Sequence, residues 1–288
     1  MSIFAPKSIL CAVDMSPASP AVLLWASLFA EAYGARVEFL HANWFEYPPY
    51  FLPSQTEELA ESVKRNRALL AESLAKLVKE NIRGGVPCQV SILEGHPAVT
   101  ILHRAAETQP DLLVLGSHGL SGLARMRLGS VAESTIQRTS VPTLIVRPAE
   151  GSPVPSKISR ILCPVNYTDL SRRSLLLAAN IASSFAAQLL VMNTEEEDRD
   201  PQASRKRLYD WVPPEAKGRC ELLEVVRQGN AAEQILLAAR EHSVDLITLA
   251  AAHRRFLDFT VMGTTTERVV RHAHSPVLVL PAGMEAAK

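Results

Sequence analysis

Residues 9–42, ILCAVDMSPASPAVLLWASLFAEAYGARVEFLHA, align without a gap on residues 161–194, ILCPVNYTDLSRRSLLLAANIASSFAAQLLVMNT. Ten of the 34 positions are identical, where ordinary residue frequencies give about two by chance. A second pair of blocks, 93–147 and 227–281, matches at fourteen of 55 positions. In it Gly95 meets Gly229, Asp111 meets Asp245, Gly129 meets Gly263, Glu133 meets Glu267 and Pro142 meets Pro276. Between its two blocks the first copy carries 18 residues more than the second. Whatever this chain folds into, it does so twice. The copies part in PAEGSPVPSK (148–157), where proline, glycine and serine cluster as in linkers. The expected domains are residues 1–150 and 151–288.

Within each copy short apolar runs alternate with helical patterns. SILCAV suits a strand buried on both faces. A helix follows, with Ser19 as candidate N-cap, Pro20 at its first position and Gly34 as its stop. RVEFLHA is the next strand, and residues 55–82 carry Leu and Val among charges at helical spacing. CQVSIL, DLLVLG and PTLIVRP are further strands, separated by the helices AVTILHRAAET and SVAESTIQR. The second copy repeats this order with a shorter central helix. Strands alternating with helices predict an α/β fold of two tandem doubly wound domains. Each is a five-stranded parallel-type sheet with helices on both faces. The last strands, TLIVRP and VLVLPA, are expected to pair within the chain as an intrachain pseudo-dimer, hiding two sheet edges. Two chains could still associate as a homodimer.

The balance of 30 Lys and Arg against 30 Asp and Glu leaves no net charge. Nothing in it draws the chain to nucleic acid or to an anionic membrane. No apolar run reaches the ~18–20 residues that span a bilayer, and MSIFAPKSIL lacks the basic end and apolar stretch of a signal peptide. The expected compartment is the cytoplasm. The four cysteines form no Cys-x-x-Cys pair. Cys11 and Cys163, each after Ile-Leu in an apolar strand, read as small buried hydrophobes.

The segment GSHGLSGLARMRLGS (116–130) follows the fourth strand. Ligands of parallel sheets bind beyond the carboxyl ends of the strands. Glycine there lets a ligand approach the backbone, and successive amides form a nest for anions. Ser130 opens a helix whose first amides and dipole favour phosphate. The segment has neither the Gly-Lys-Ser/Thr of a Walker loop nor the Gly-x-Gly of a dinucleotide fingerprint. A plainer account of part of it is capping: Ser130 with Glu133, and Thr264 with Glu267, spell Ser/Thr-x-x-Glu capping boxes. Capping does not account for Gly116 and Gly119, whose counterparts are Ala250 and His253 in a copy that keeps its strand and helix.

With these residues the chain resembles a tandem universal stress protein, and the likeness covers nearly all of both copies. The family's nucleotide motif is Gly, two residues, Gly, nine residues, Gly, then Ser or Thr, and Gly116, Gly119, Gly129 and Ser130 match it. The resemblance implies that Asp14, ending the first strand, contacts the nucleoside and that Ala42 meets adenine through its backbone. It implies that Val131 continues the phosphate-binding turn. It further implies ATP as ligand, with Mg2+ or Mn2+ on the phosphates. In the second copy Asn166 stands for Asp14, Ala250 for Gly116 and His253 for Gly119. A weak or empty second site is therefore expected.

Other features carry more than one reading. Asp14 also suits a turn cap. His118 reads as a phosphate contact, a base or an exposed residue, and Arg125 and Arg127 as phosphate partners or solvated loop charges. WFEYPPYFLP (44–53) reads as a lid, a docking patch or a packed loop, and EEEDRDPQASRKR (195–207) as a solvated connector. His272 and His274 lack metal partners in the sequence. No nucleophile–base pair, acid pair or metal-ligand cluster declares itself, so no catalytic residue and no protein-held metal is expected. The function expected is an ATP-binding, ligand-gated stress-response regulator acting on an unknown protein partner. The alternatives are a slow ATPase or phosphotransfer enzyme, and a scaffold for a non-nucleotide ligand.

Overall fold

A computed structural model describes residues 4–44, 53–117, 128–147, 155–195, 200–251, 253–256 and 259–282. The first half runs β1 (Ser8–Ala12), α1 (Ser19–Tyr33), β2 (Arg36–Asn43), α2 (Pro53–Asn81), β3 (Cys88–Glu94), α3 (Pro97–Thr108), β4 (Leu112–Gly116), α4 (Ser130–Arg138) and β5 (Thr143–Val146). The second begins β6 (Arg160–Pro164), α5 (Asp169–Phe185), β7 (Gln188–Glu195), α6 (Pro201–Trp211), α7 (Pro214–Lys217), β8 (Leu222–Gln228) and α8 (Ala231–Glu241). It ends β9 (Leu246–Ala251), β10 (His253–Phe256), β11 (Phe259–Met262), α9 (Thr264–His272) and β12 (Val277–Pro281).

Ten of these strands form one sheet in the order β3-β2-β1-β4-β5-β12-β9-β6-β7-β8, five from each half. Every pairing in it is parallel except β5 with β12, which is antiparallel. In that pairing Leu144 faces Leu278, its own counterpart in the duplicated sequence, flanked by Thr143–Val279 and Ile145–Val277. The ladder is therefore isologous about an axis through Leu144 and Leu278, as in a two-fold dimer. The fold class expected from the repeat is the one observed.

The apolar strand runs are continuous because both sheet faces are covered. Ile9, Cys11, Leu112 and Val114 belong to the core on one face, to which α1, α2 and α5 also contribute. Their neighbours Leu10, Ala12, Leu113 and Leu115 belong to the core on the other face, to which α3, α4, α8 and α9 also contribute. The first of these cores crosses from one half to the other. Phe29 of α1 meets Phe185 of α5 edge-on, with ring centroids 5.7 Å apart. Such a contact adds about 0.5–1.5 kcal/mol to the area buried.

Two repeated residues prove to be structural. Asp111 Oδ2 accepts from the amides of Lys7 and Ser8, and Asp245 Oδ2 from those of Ser159 and Arg160, so each tethers the start of its half's first strand. Gly95 (φ +133°) and Gly229 (φ +109°) adopt backbone that L-residues avoid, and a Cβ at 95 would lie 2.8 Å from Thr100 Oγ1. Gly34 ends α1 in the left-handed region, as expected.

Several local expectations are corrected. The N-cap of α1 is Ala18, and Ser19 is already helical. Neither capping box forms: Gly129 and Gly263 hold the N-cap positions, without a side-chain cap. Ser130 and Thr264 stand one place too late to cap. The stretch read as a connector runs into α6, whose first amides are capped by Asp200 and which buries Ser204 and Leu208. The hairpin β10–β11 has no counterpart among the described residues of the first half.

Cys11 and Cys163 are fully buried, and burial raises both thiols, Cys163 to about 11. Cys88 is exposed. A neutral-pH maleimide pulse on native protein should label Cys88 and spare Cys11 and Cys163, read by peptide mass spectrometry. At the seam, Leu144→Ala and Leu278→Ala should each cost about 2–5 kcal/mol. Because the two side chains are direct cross-strand partners, the double variant should depart from additivity by at least ~0.5 kcal/mol in denaturant titration.

Candidate functional site

β1 and β4 are neighbours in the sheet, yet the chain leaves them on opposite faces. After β1 it enters α1, on the face beneath α2 and α5; after β4 it proceeds to α4, on the other. A crevice must open where the two exits diverge, at the carboxyl ends of the strands. A cavity of about 430 Å³ lies there, within the size range of small-molecule sites. Asp14, Ala42, Gly116, Gly129, Ser130 and Val131 all line it. The sequence thus named six residues that the fold brings together. Gly119, with His118, Gly122, Arg125 and Arg127, lies outside the described residues.

Among the described residues that line the cavity, Asp14 is the one ionisable group. Its Oδ1 accepts from Ser16 N–H at 3.0 Å and from Ser19 Oγ at 3.1 Å. These bonds shape the turn after β1, where Met15 takes φ +63°, unusual for a non-glycine residue. Its Oδ2 is buried and has no hydrogen-bond partner among the described residues. The turn therefore uses half of the carboxylate and leaves half over. A buried acceptor left unmade costs about 1–3 kcal/mol, a cost that a hydroxyl or amine of a ligand would remove.

Across the cavity stands the start of α4. Glu133 N–H closes the first turn of this helix onto Gly129 O, at 2.9 Å. The amides of Ser130, Val131 and Ala132 precede that bond and have no acceptor within the helix. All three residues line the cavity. With Ser130 inside the helix and not capping it, its hydroxyl is not required by the helix terminus.

The sequence missed part of the lining. Val22, Pro97, Ile101 and Leu115 give the cavity apolar walls, and Ser19, read as a cap, is a partner of Asp14. Trp44, the first residue of the aromatic segment, lines the cavity, while residues 45–52 lie outside the described residues. The serine five residues beyond each first-strand polar residue, Ser19 and Ser171, was the available signal for that bond.

The second half opens an equivalent cavity of about 340 Å³, lined by Asn166, Thr194, Ala250, Gly263 and Thr264 among others. Here the turn is closed locally. Asn166 Oδ1 accepts from Thr168 Oγ1 at 2.7 Å, and Thr168 with Ser171 forms a capping box on α5. Thr266 Oγ1 donates to Ala250 O at 3.3 Å. His253 is the first residue of β10. Among the described residues no ionisable side chain lines this cavity.

Fold and cavity together define a doubly wound α/β protein with a cavity at the switch point of each half. The sequence profile of the universal stress protein family matches residues 6–147 and again 157–281. The chain belongs to the universal stress protein family and carries two of its domains in tandem. A universal stress protein of Thermus aquaticus is 33% identical over 144 residues, 49% of this chain and 98% of the relative. One of Mycobacterium bovis is 24% identical over 288 residues, covering 93% of this chain and 94% of its own. A crystal structure of a universal stress protein from Archaeoglobus fulgidus superposes with a TM-score of 0.72 at 19% identity, covering 96% of this chain and 99% of that one. That last likeness is one of fold. Among the described residues no helix is long and apolar enough to cross a membrane.

Because Oδ1 carries the turn and amide oxygen can replace it, Asp14→Asn should leave the thermal midpoint of the ligand-free protein within a few degrees of wild type. A larger fall in differential scanning calorimetry would mean that the carboxylate charge itself holds the fold.

Proposed function

We propose that this chain is an ATP-binding regulator of the stress-response type, and that ATP is held in the amino-terminal half. The observation that carries the reading is the leftover oxygen of Asp14 in a cavity whose opposite wall is the uncapped start of α4. A carboxylate oxygen accepts from ribose hydroxyls or an exocyclic amine. Helix amides and the helix dipole suit phosphate. Gly116 and Gly129 leave the main chain bare where phosphate would approach. The apolar walls suit a base, with Ala42 beside it. Gly119 belongs to the same loop by sequence.

The contrast between the halves supports this assignment. Asp111, Gly95 and their counterparts are repeated because the fold uses them. Asp14 and Gly116 are not repeated, although strand, turn and helix are. What the fold does not require in one half, a ligand does in the other. In the second half the Asn166 oxygen is committed to Thr168 and a Cβ stands at 250, so that cavity is weak or empty towards ATP.

A divalent cation would ride on the phosphates. Among the described residues no group of three or more His, Cys, Asp or Glu is placed to hold one. ATP would add charge and bulk between β1 and β4 and so change the surface around the carboxyl ends of the strands. A protein partner reads that surface only if ATP favours one of its states over another. The compartment that goes with this role is the cytoplasm.

Calorimetric titration of ATP with magnesium into the full chain should find about one site. Gly116→Val should abolish it, since a β-branched side chain fills the phosphate approach, while circular dichroism stays that of wild type. Asp14→Asn should weaken it at least tenfold, in line with a charge-assisted bond of about 1.5–3 kcal/mol. Two equal sites, or unchanged affinity in both variants, would contradict the proposal.

A further inference from the structure

Trp44 leaves 56% of its surface exposed, although it lines a cavity with apolar walls. Its indole meets the imidazole of His96 edge-on, with centroids 4.9 Å apart and planes at 62°. That contact braces the indole from one side without covering it. His96 is the residue before α3, the N-cap position, and makes no side-chain cap. In the second half the same position is Asn230, which caps α8 by accepting from Glu233 N–H. The first half thus forgoes a good helix cap for a ring that holds Trp44. Carrying the gap-free alignment two residues past Ala42 puts Glu196 opposite Trp44. Both members of the aromatic pair are therefore confined to the half that keeps Asp14 and Gly116, and the shared fold manages without them.

We propose that Trp44, positioned by His96, is the stacking wall for the base, so that this cavity selects ligands carrying a flat heteroaromatic ring. The inference rests on the nucleotide reading above and adds what the motif lacks. Asp14 and the α4 amides recognise hydroxyls and phosphate, which sugar phosphates also offer. An indole face recognises a purine, because stacked π systems and excluded water reward planarity. The site thereby separates purine nucleotides from phosphorylated sugars of similar charge.

The test uses the full chain with magnesium, in wild type, Trp44→Leu and Trp44→Phe, each checked for wild-type circular dichroism. ATP should quench tryptophan emission in the wild type, and inorganic tripolyphosphate should not. Trp25 is buried and Trp211 packs on Tyr167 in the other half, so Trp44 is the emitter a ligand here would reach. Trp44→Leu should lose the quench and bind ATP about tenfold or more weakly. Trp44→Phe should stay within about threefold of wild type. Equal affinity in all three proteins, equal loss in both variants, or quenching by tripolyphosphate would each overturn the stacking role. If wild type binds no ATP by calorimetry, the nucleotide reading falls and this inference with it. If Trp44→Leu binds ATP as wild type does, only the stacking role falls.

Discussion

One antiparallel ladder makes a single sheet of the two halves. Everywhere else in the ten-stranded sheet the neighbours are parallel and belong to the same half; only β5 and β12 join the halves edge to edge. Without that seam each half would end in a strand with unpaired amides and carbonyls, an invitation to aggregate. Pairing them inside one chain makes the association unimolecular and fixes its register, since the turn-free ladder centres on the duplicated pair Leu144 and Leu278. It also turns the two cavities into sites related by a pseudo-two-fold axis. The two are then free to diverge in sequence, as identical subunits are not.

Divergence is what the residues record. The tethers at Asp111 and Asp245 and the positive-φ glycines at 95 and 229 recur because backbone geometry demands them. Around the first cavity the demands are different. Asp14 gives one oxygen to its own turn and keeps one idle in a buried place; His96 declines to cap α3. Each is a small local cost, of the order of a capping interaction or an unmade hydrogen bond, about 1 kcal/mol. In the second half the corresponding costs are removed by Thr168, Ser171 and Asn230. What the fold requires and what it leaves free to vary are thus separable within a single chain.

Much of this was legible before any coordinates. The repeat gave the domain count, the apolar runs gave strands covered on both faces, and the switch-point rule placed Gly116 at the cavity. Local capping was less legible. Ser-x-x-Glu looks alike whether Ser is the cap or the first helical residue, and only the position of Gly129 ahead of it separates the two. The α6 helix was hidden because its charged surface resembles a linker; its stability comes from Ser204 and Leu208 packed inward, a tertiary effect that periodicity over so few apolar residues does not reveal. The Trp44–His96 contact joins residues far apart in sequence, so no spacing could have announced it.

The central claim is that the amino-terminal cavity, and not its counterpart, is built for a nucleoside triphosphate. The most direct measurement is a crystal structure of the full chain grown with excess ATP and magnesium. The account predicts nucleotide density bounded by Asp14 on one side and the first amides of α4 on the other, with the cavity at Asn166 free of it. Nucleotide seated only beside Asn166 and Ala250, or absent from the first cavity at saturating concentration, would contradict it.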